Sequence, residues 1–240
     1  MAKRLQDQVA LIVGASSGMG LATARTFAEE GARLALAARS ADKLGALAAE
    51  LGPPALACPV DVEDAAAVEG VVGRVVERFG RLDILVYTAG TNIPQRSLEV
   101  LTPEAWERMI GANLTGAFYC TRAVLPAMRS QQAGLIIYVS SAAVQRPDVS
   151  GVSYQASKHG VVGLAHGTFR EERDHGVRTC VIFPGLTDTP LVLKRPTPTP
   201  PEVMAKALQP GDVAEACLFV AALPPRTYVP ELVLMPAGLA

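Results

Sequence analysis

Short apolar, β-branched runs alternate along this chain with longer stretches of helical periodicity. The runs 8–13, 33–38, 55–60, 84–87, 135–140, 177–183 and 232–234 read as strands, each bounded by turn residues. The stretches 18–30, 41–51, 63–79, 103–128, 154–174 and 211–222 read as helices. Gly80 and Gly176 each follow such a stretch, where a left-handed cap favours glycine. Repeated β–α alternation with right-handed crossovers predicts one α/β domain over 1–240. Its core is a doubly wound parallel sheet of about seven strands with helices on both faces.

The composition agrees: 50% of residues are hydrophobic and only 5% aromatic, as suits a parallel sheet covered on both sides. A formal charge of −1 gives no electrostatic case for nucleic acid or an anionic membrane as partner. The opening residues lack the apolar stretch of a secretory signal, and the later apolar runs 9–13 and 217–223 fall far short of a bilayer crossing. A soluble, cytoplasmic protein is expected. Cys58, Cys120, Cys180 and Cys217 are scattered among apolar neighbours and read as buried free thiols. With three histidines in no ligand-like pattern, no metal is expected. The segment 194–201, Lys-Arg-Pro-Thr-Pro-Thr-Pro-Pro, forbids helix and central strand, and predicts an extended surface loop or lid within 186–210. A docking motif for a proline-recognising module is the other reading of it.

Candidate chemistry lies in two places. The first strand should run into Gly14-Ala15-Ser16-Ser17-Gly18-Met19-Gly20, followed by a helix. Glycines there let the backbone turn tightly against a pyrophosphate, while free amides at the helix start face the negative charge. A structural strand–helix turn also needs glycine. The end of the second strand reads Ala37-Ala38-Arg39-Ser40, with no carboxylate to take a ribose 2′-hydroxyl. A guanidinium at that position forks onto a 2′-phosphate, so NADP(H) is expected over NAD(H), unless Arg39 is only a solvated helix-start residue. Asp61 and Val62 follow the third strand, where they can meet an adenine edge; Asp61 equally suits a helix N-cap.

The second place is Tyr154-Gln-Ala-Ser-Lys158, thirteen residues after Ser141. Residues i and i+4 share a helix face, and an ammonium beside a phenol stabilises phenolate and eases proton exchange. Ser141, at a strand's carboxyl end, can donate to the same substrate oxygen.

These residues together resemble the short-chain dehydrogenase/reductase family over essentially the whole chain. Gly14, Gly18 and Gly20 match its glycine motif, with Val13 where threonine is usual. Asp61 matches the adenine-binding aspartate, and Asn113, in Gly-Ala-Asn-Leu-Thr-Gly, the asparagine of the catalytic set. Ser141, Tyr154 and Lys158 match the catalytic serine, tyrosine and lysine. Pro184, Gly185, Thr187 and Thr189 match the Pro-Gly segment that contacts the nicotinamide and phosphates. One departure is Tyr87-Thr88-Ala89-Gly90, where Asn-Asn-Ala-Gly is usual: Ala89 and Gly90 keep the close approach to the cofactor, while Tyr87 can turn into the core if its hydroxyl finds a partner.

The resemblance implies a Rossmann-type fold and hydride transfer between nicotinamide and a carbonyl or secondary alcohol. Tyr154 would be acid or base, and Lys158 would bind the nicotinamide ribose and depress the Tyr154 pKa. Ser141 would orient the substrate oxygen, and Asn113 would hold a water relayed through Lys158. A non-catalytic, nucleotide-sensing protein and a scaffold acting through 194–201 are the rival readings. Arg146, Lys194 and Arg195 are either surface cations or a grip on a substrate anion, and the tail 224–234 resembles members acting on small hydroxy acids and related compounds. The stretches 103–128 and 154–174 carry surplus apolar residues; in this family such helices pair across a two-fold axis, so a homodimer or homotetramer is expected.

Overall fold

Along β1 (Val9–Val13) every residue is buried, and strand alternation divides them between two layers. Val9, Leu11 and Val13 enter one apolar cluster, and Ala10 and Ile12 enter the other. The computed structural model describes residues 3–53 and 55–239. Its remaining strands are β2 (Arg33–Ala38), β3 (Leu56–Pro59), β4 (Ile84–Tyr87), β5 (Gly134–Val139), β6 (Val177–Pro184) and β7 (Glu231–Leu234). They pair in the order β3-β2-β1-β4-β5-β6-β7, parallel throughout. The order reverses between β1 and β4, and a crevice opens at such a switch point beyond the carboxyl ends of the strands.

Helices α1 (Gly18–Glu29), α2 (Ala41–Leu51) and, near the end of the chain, α8 (Pro210–Ala221) supply Phe27, Leu44, Leu47, Val213 and Leu218 to the cluster on one face. The other face is covered by α3 (Ala65–Phe79), α5 (Gly116–Gln131) and α6 (Val152–Glu172). In α3 the buried stripe Val68, Val71, Val72 and Val75 has the spacing of one helix face, and each such side chain contributes about 1.5 kcal/mol or more on burial. Glu172, at the end of α6 and nearly buried, binds the Arg129 guanidinium of α5 through both carboxylate oxygens and fixes these helices to each other. All four cysteines are buried and free.

The structure departs from the sequence expectation in three places. Helix α3 begins at Ala65 rather than at 63, because the Asp64 carboxylate caps it by accepting from Ala67 N at 3.0 Å. Asp61 is therefore not the N-cap; it accepts from Glu63 N at 3.1 Å in the turn before the helix. The single helix expected over 103–128 is interrupted. After α4 (Pro103–Ile110) the chain widens into a π-helical turn, Gly111–Thr115, before α5 resumes. Finally, Pro201 opens a short helix α7 (Pro201–Met204), at the first helical position where proline is tolerated. Among the described residues no helix is long and apolar enough to cross a membrane.

Candidate active site

Beyond the ends of β1, β2, β3 and β4 lies a cleft of about 510 Å³. The glycine turn after β1 forms its floor: Gly14, Ser16, Ser17, Gly18, Met19 and Gly20 all line it. Gly14 and Gly18 have φ of +91° and +53°, conformations that disfavour a side chain. At Gly20 the constraint is contact, since a Cβ there would lie 2.3 Å from the Gly14 carbonyl oxygen. Ser17 precedes α1 without a side-chain cap, so the first amides of the helix remain available to an anion in the cleft.

The side of this cleft beyond β2 and β3 is lined by Ala38, Arg39, Ser40, Asp61 and Val62. Arg39 is exposed and, among the described residues, makes no ion pair. Ser40 precedes α2 with its hydroxyl likewise uncommitted to a cap. The arrangement fits a nicotinamide dinucleotide: a glycine floor with no room for side chains, and helix amides for the pyrophosphate.

Ala89 and Gly90 line the same cleft, and their setting explains the departure at Tyr87-Thr88. The Thr88 hydroxyl donates to the Val13 carbonyl at 2.7 Å, joining the ends of β4 and β1. Tyr87 does turn into the core, where it is 1% exposed, and its hydroxyl donates to the Ala112 carbonyl at 2.7 Å. That carbonyl belongs to the π turn. Gly116 makes room for the bond, because a Cβ there would fall 2.6 Å from the Tyr87 hydroxyl and 2.7 Å from Val62. The widened turn is thus held by a side chain that the sequence marked only as an anomaly.

The π turn delivers Asn113 to the centre of the site, fully buried. Its Oδ1 accepts from Thr91 N at 2.7 Å, while Nδ2 donates to the Thr91 carbonyl at 3.1 Å and to Ser157 Oγ at 2.9 Å. The amide protons are committed within the protein, so a water held by this side chain would donate to Oδ1, which has a second lone pair. Asn113 clamps the Gly90–Thr91 loop to α6. Asn113, Lys158 and Gly90 converge: a Cβ on Gly90 would stand 3.2 Å from Asn113 Oδ1 and 3.5 Å from Lys158 Nζ.

Tyr154 and Lys158 project together from α6 as their spacing predicts, and both are buried. Their electrostatics differ from the sequence expectation. Lys158 Nζ donates to the Val139 carbonyl at 2.9 Å and stands 5.7 Å from the centre of the Tyr154 ring. Burial pushes the ammonium down to about 8. Burial also pushes the phenol up to about 12, and the neighbouring Ser141 hydroxyl offsets this only in part. Lys158 is not among the groups acting on the phenol; the cations that oppose its rise are Arg195 and Arg96, and burial outweighs them. Ser141 lies two residues beyond β5, its Oγ accepting from Ala143 N at 3.2 Å. Its neighbour Ser140 is structural and donates to the Lys158 carbonyl at 3.0 Å.

A second cavity, of about 380 Å³, adjoins the first, with Met19, Thr189 and Leu191 lining both. Ser141 and Tyr154 line this second space, as do Pro184, Gly185 and Thr187. Of the Pro-Gly segment only Thr189 also reaches the larger cleft. Of the segment 194–201, Lys194 and Arg195 line the cavities. Lys194 donates to Thr91 Oγ1 at 2.7 Å and lines the larger cleft, which separates it from Arg146 and Arg195 in the smaller one. Arg96 also lines the smaller cavity, and sequence reasoning missed it: it sits in a loop after β4 with no periodicity or motif to single it out.

Comparison with known proteins agrees with this geometry. Residues 8–198 match the family described as short chain dehydrogenase. The chain is 34% identical over 228 residues to cis-4-hydroxycyclohexanecarboxylate dehydrogenase of Sinomonas cyclohexanicum, covering 92% of each chain. Among solved structures it is similar to a 3-ketoacyl-(acyl-carrier-protein) reductase from Brucella melitensis complexed with NADH. That match has a TM-score of 0.89 at 29% identity, covering 97% of this chain and 98% of the other. It is also similar to an alcohol dehydrogenase from the archaeon Thermococcus sibiricus complexed with 5-hydroxy-NADP, with a TM-score of 0.86, 34% identity, and coverage of 96% and 97%.

Proposed function

Since this chain belongs to the short-chain dehydrogenase family and is an oxidoreductase, we propose that it transfers hydride between NADP(H) and a carbonyl or secondary alcohol, through Ser141, Tyr154 and Lys158. The observation that carries this reading is the junction of the two cavities. The smaller holds Ser141 and Tyr154, and the larger ends at the Gly90 loop beside Lys158. When bound, the nicotinamide supplies or accepts the hydride; the protein manages the proton and the geometry.

In the direction of reduction, Tyr154 gives its phenolic proton to the carbonyl oxygen. A phenol held at about 12 is fully protonated at neutral pH, so its acid form is always present. Ser141 donates to the same oxygen and stabilises the charge that develops on it. Lys158, with its amine within the buried site, binds the ribose hydroxyls and feeds protons back to Tyr154. Asn113 keeps the Gly90–Thr91 loop fixed beside them.

The preference for NADP(H) rests on Arg39, a free guanidinium with no carboxylate at the end of β2. The named relatives supply examples with NADH and with an NADP derivative, so the preference belongs to this chain's own residues. The relative from Sinomonas, by its name, acts on an alcohol that also carries a carboxylate. Assembly with further copies of this chain is part of the same reading. Trp106 of α4 and Phe118 of α5 remain 39% and 45% exposed in the single chain, as suits helices that pair with a copy of themselves. Sedimentation gives the mass that checks it.

A panel of aldehydes, ketones and alcohols, followed at the nicotinamide absorbance with NADPH and NADH side by side, tests the function. Turnover with NADPH at a kcat/KM well above that with NADH is expected. Turnover with NADH alone removes the Arg39 argument. Binding of NADPH with no turnover of any carbonyl favours a nucleotide-sensing protein instead.

A further inference from the structure

The smaller cavity carries more positive charge than catalysis of a neutral carbonyl requires. Among the described residues its walls include Arg96, Arg146 and Arg195 but one carboxylate side chain, Asp148, in a chain whose formal charge is −1. Asp148 does not neutralise the cluster. Its Oδ1 accepts from Ser150 N at 2.8 Å, and it forms no ion pair with any arginine among the described residues.

Arg96 is the informative member. It is 7% exposed, and its Nε is buried with no hydrogen-bond partner among the described residues. A guanidinium cannot escape burial by losing its proton, so an unpaired buried one is costly unless something binds it. Three charged or titratable groups act on it: Arg195 repels it, while Asp148 and Tyr154 favour its charge less strongly. Its backbone is tightly packed, because Gly151 before α6 is a residue whose Cβ would lie 2.8 Å from Arg96 Cβ. The base of the side chain is therefore closely packed against the start of α6. Asn92, another buried polar residue of this wall, is already committed, donating to the Ser150 carbonyl at 3.0 Å and accepting from Ile93 N at 2.8 Å. Arg195, half-buried across the cavity, is held by a bond to Thr199 Oγ1 at 2.9 Å.

We propose that Arg96, with Arg195, is an anion-recognition subsite, and that the substrate is an oxo acid or hydroxy acid whose carboxylate it binds. The proposal rests on the oxidoreductase reading above and names the substrate class of that site. The cavity that holds the arginines also holds Ser141 and Tyr154, so the anion and the reacting carbon belong to one small molecule. A guanidinium fork matches a carboxylate in plane, and the remaining walls, among them Ala142, Ala143, Leu186 and Met235, suit a short hydrocarbon between the two groups. In reduction the carbonyl carbon accepts hydride from the reduced nicotinamide, which becomes oxidised. The oxygen takes the Tyr154 proton, solvent restores that proton, and the carboxylate passes through unchanged.

The test is a series of oxo acids of increasing carbonyl-to-carboxylate spacing, each compared with its methyl ester and with an oxo phosphate of the same length. With NADPH, the best acid should exceed its ester in kcat/KM by about 100-fold, the worth of a charge-assisted pair. Arg96→Gln should cut that ratio at least tenfold through KM, Arg96→Lys should recover part of it, and Arg195→Gln should move it the same way by less. Equal rates for acid and ester in the wild type, or a ratio unmoved by both Arg96→Gln and Arg195→Gln, overturns the proposal; phosphate above carboxylate overturns the assigned anion. Calorimetric titration of the NADP+ complex with the same oxo acids reads binding without turnover. Acid binding that is lost in Arg96→Gln, in a protein that reduces no carbonyl, leaves the subsite standing while the oxidoreductase mechanism falls.

Discussion

The two cavities that meet at Thr189 are built by opposite means. The larger is mostly backbone: a glycine turn, the open amides of α1, and Ala89-Gly90 at the end of β4. These parts lie directly after strands that pair with one another, so the sheet register brings them together. The smaller is built of side chains from four distant parts of the chain. Arg96 follows β4, Arg146 and Asp148 follow Ser141, Tyr154 belongs to α6, and Arg195 comes from the segment after Pro190–Lys194. A backbone site of the first kind recognises a shared feature, a pyrophosphate, and tolerates variation elsewhere. A side-chain site of the second kind is where one protein differs from its relatives, and where the choice of substrate is made.

That contrast can be broken from either side. The largest effect should come from Tyr154→Phe, in the wall of the smaller cavity. Loss of the proposed acid should lower turnover by about 100- to 10,000-fold, while NADPH affinity, measured by fluorescence titration, stays close to wild type. Retained turnover would remove the proposed acid. Arg39→Asp addresses the one part of the larger cleft that depends on a side chain. Removing a charge-assisted contact of about 1.5–3 kcal/mol should weaken NADPH by roughly 10- to 100-fold and leave NADH little changed. Equal loss for both cofactors would mean that Arg39 only supports the fold.

Tyr87→Phe tests whether the two cavities depend on the π turn between them. It leaves the Ala112 carbonyl without its donor at an unchanged shape, a cost of about 1–3 kcal/mol that the denaturant midpoint should report. If the turn also positions Asn113, kcat should fall along with stability; a stability loss with kcat intact confines Tyr87 to the core.

The smallest effect is expected from pH. Lys158 is lowered to about 8, so its ammonium is present below that value and lost as pH rises through it, whereas the phenol remains protonated well above. The kcat/KM for NADPH in reduction should therefore show one falling limb near pH 8, with a slope of about tenfold per unit. A limb near 10 or above would mean that the ammonium is less desolvated than the geometry indicates.

Much of the fold was legible because strand and helix periodicity are local properties of the chain. Each expected strand appears, displaced by at most a residue or two at its ends, and the parallel order follows from the β–α alternation. The departures arise where a distant group overrides local preference. The stretch 103–128 has helical periodicity throughout, and distant groups hold the widened turn within it: the Tyr87 hydroxyl, arriving from β4, on Ala112, and Thr91 and Ser157 on Asn113. The carboxylate of Asp64 displaced Asp61 as cap, a competition between neighbours that composition does not resolve.

For the candidate site the division follows the same line. Amino-acid order alone determined the glycine turn, the Tyr154–Lys158 pair on one helix face, and the lack of an acid beside Arg39, since each needs only a few adjacent residues. Tertiary packing decided the rest. Desolvation, which depends on every neighbour in space, set the phenol high and the ammonium low. Packing also left Arg96 buried and, among the described residues, without a partner for its Nε beside Tyr154, because a charge becomes costly only once the surrounding elements have closed around it.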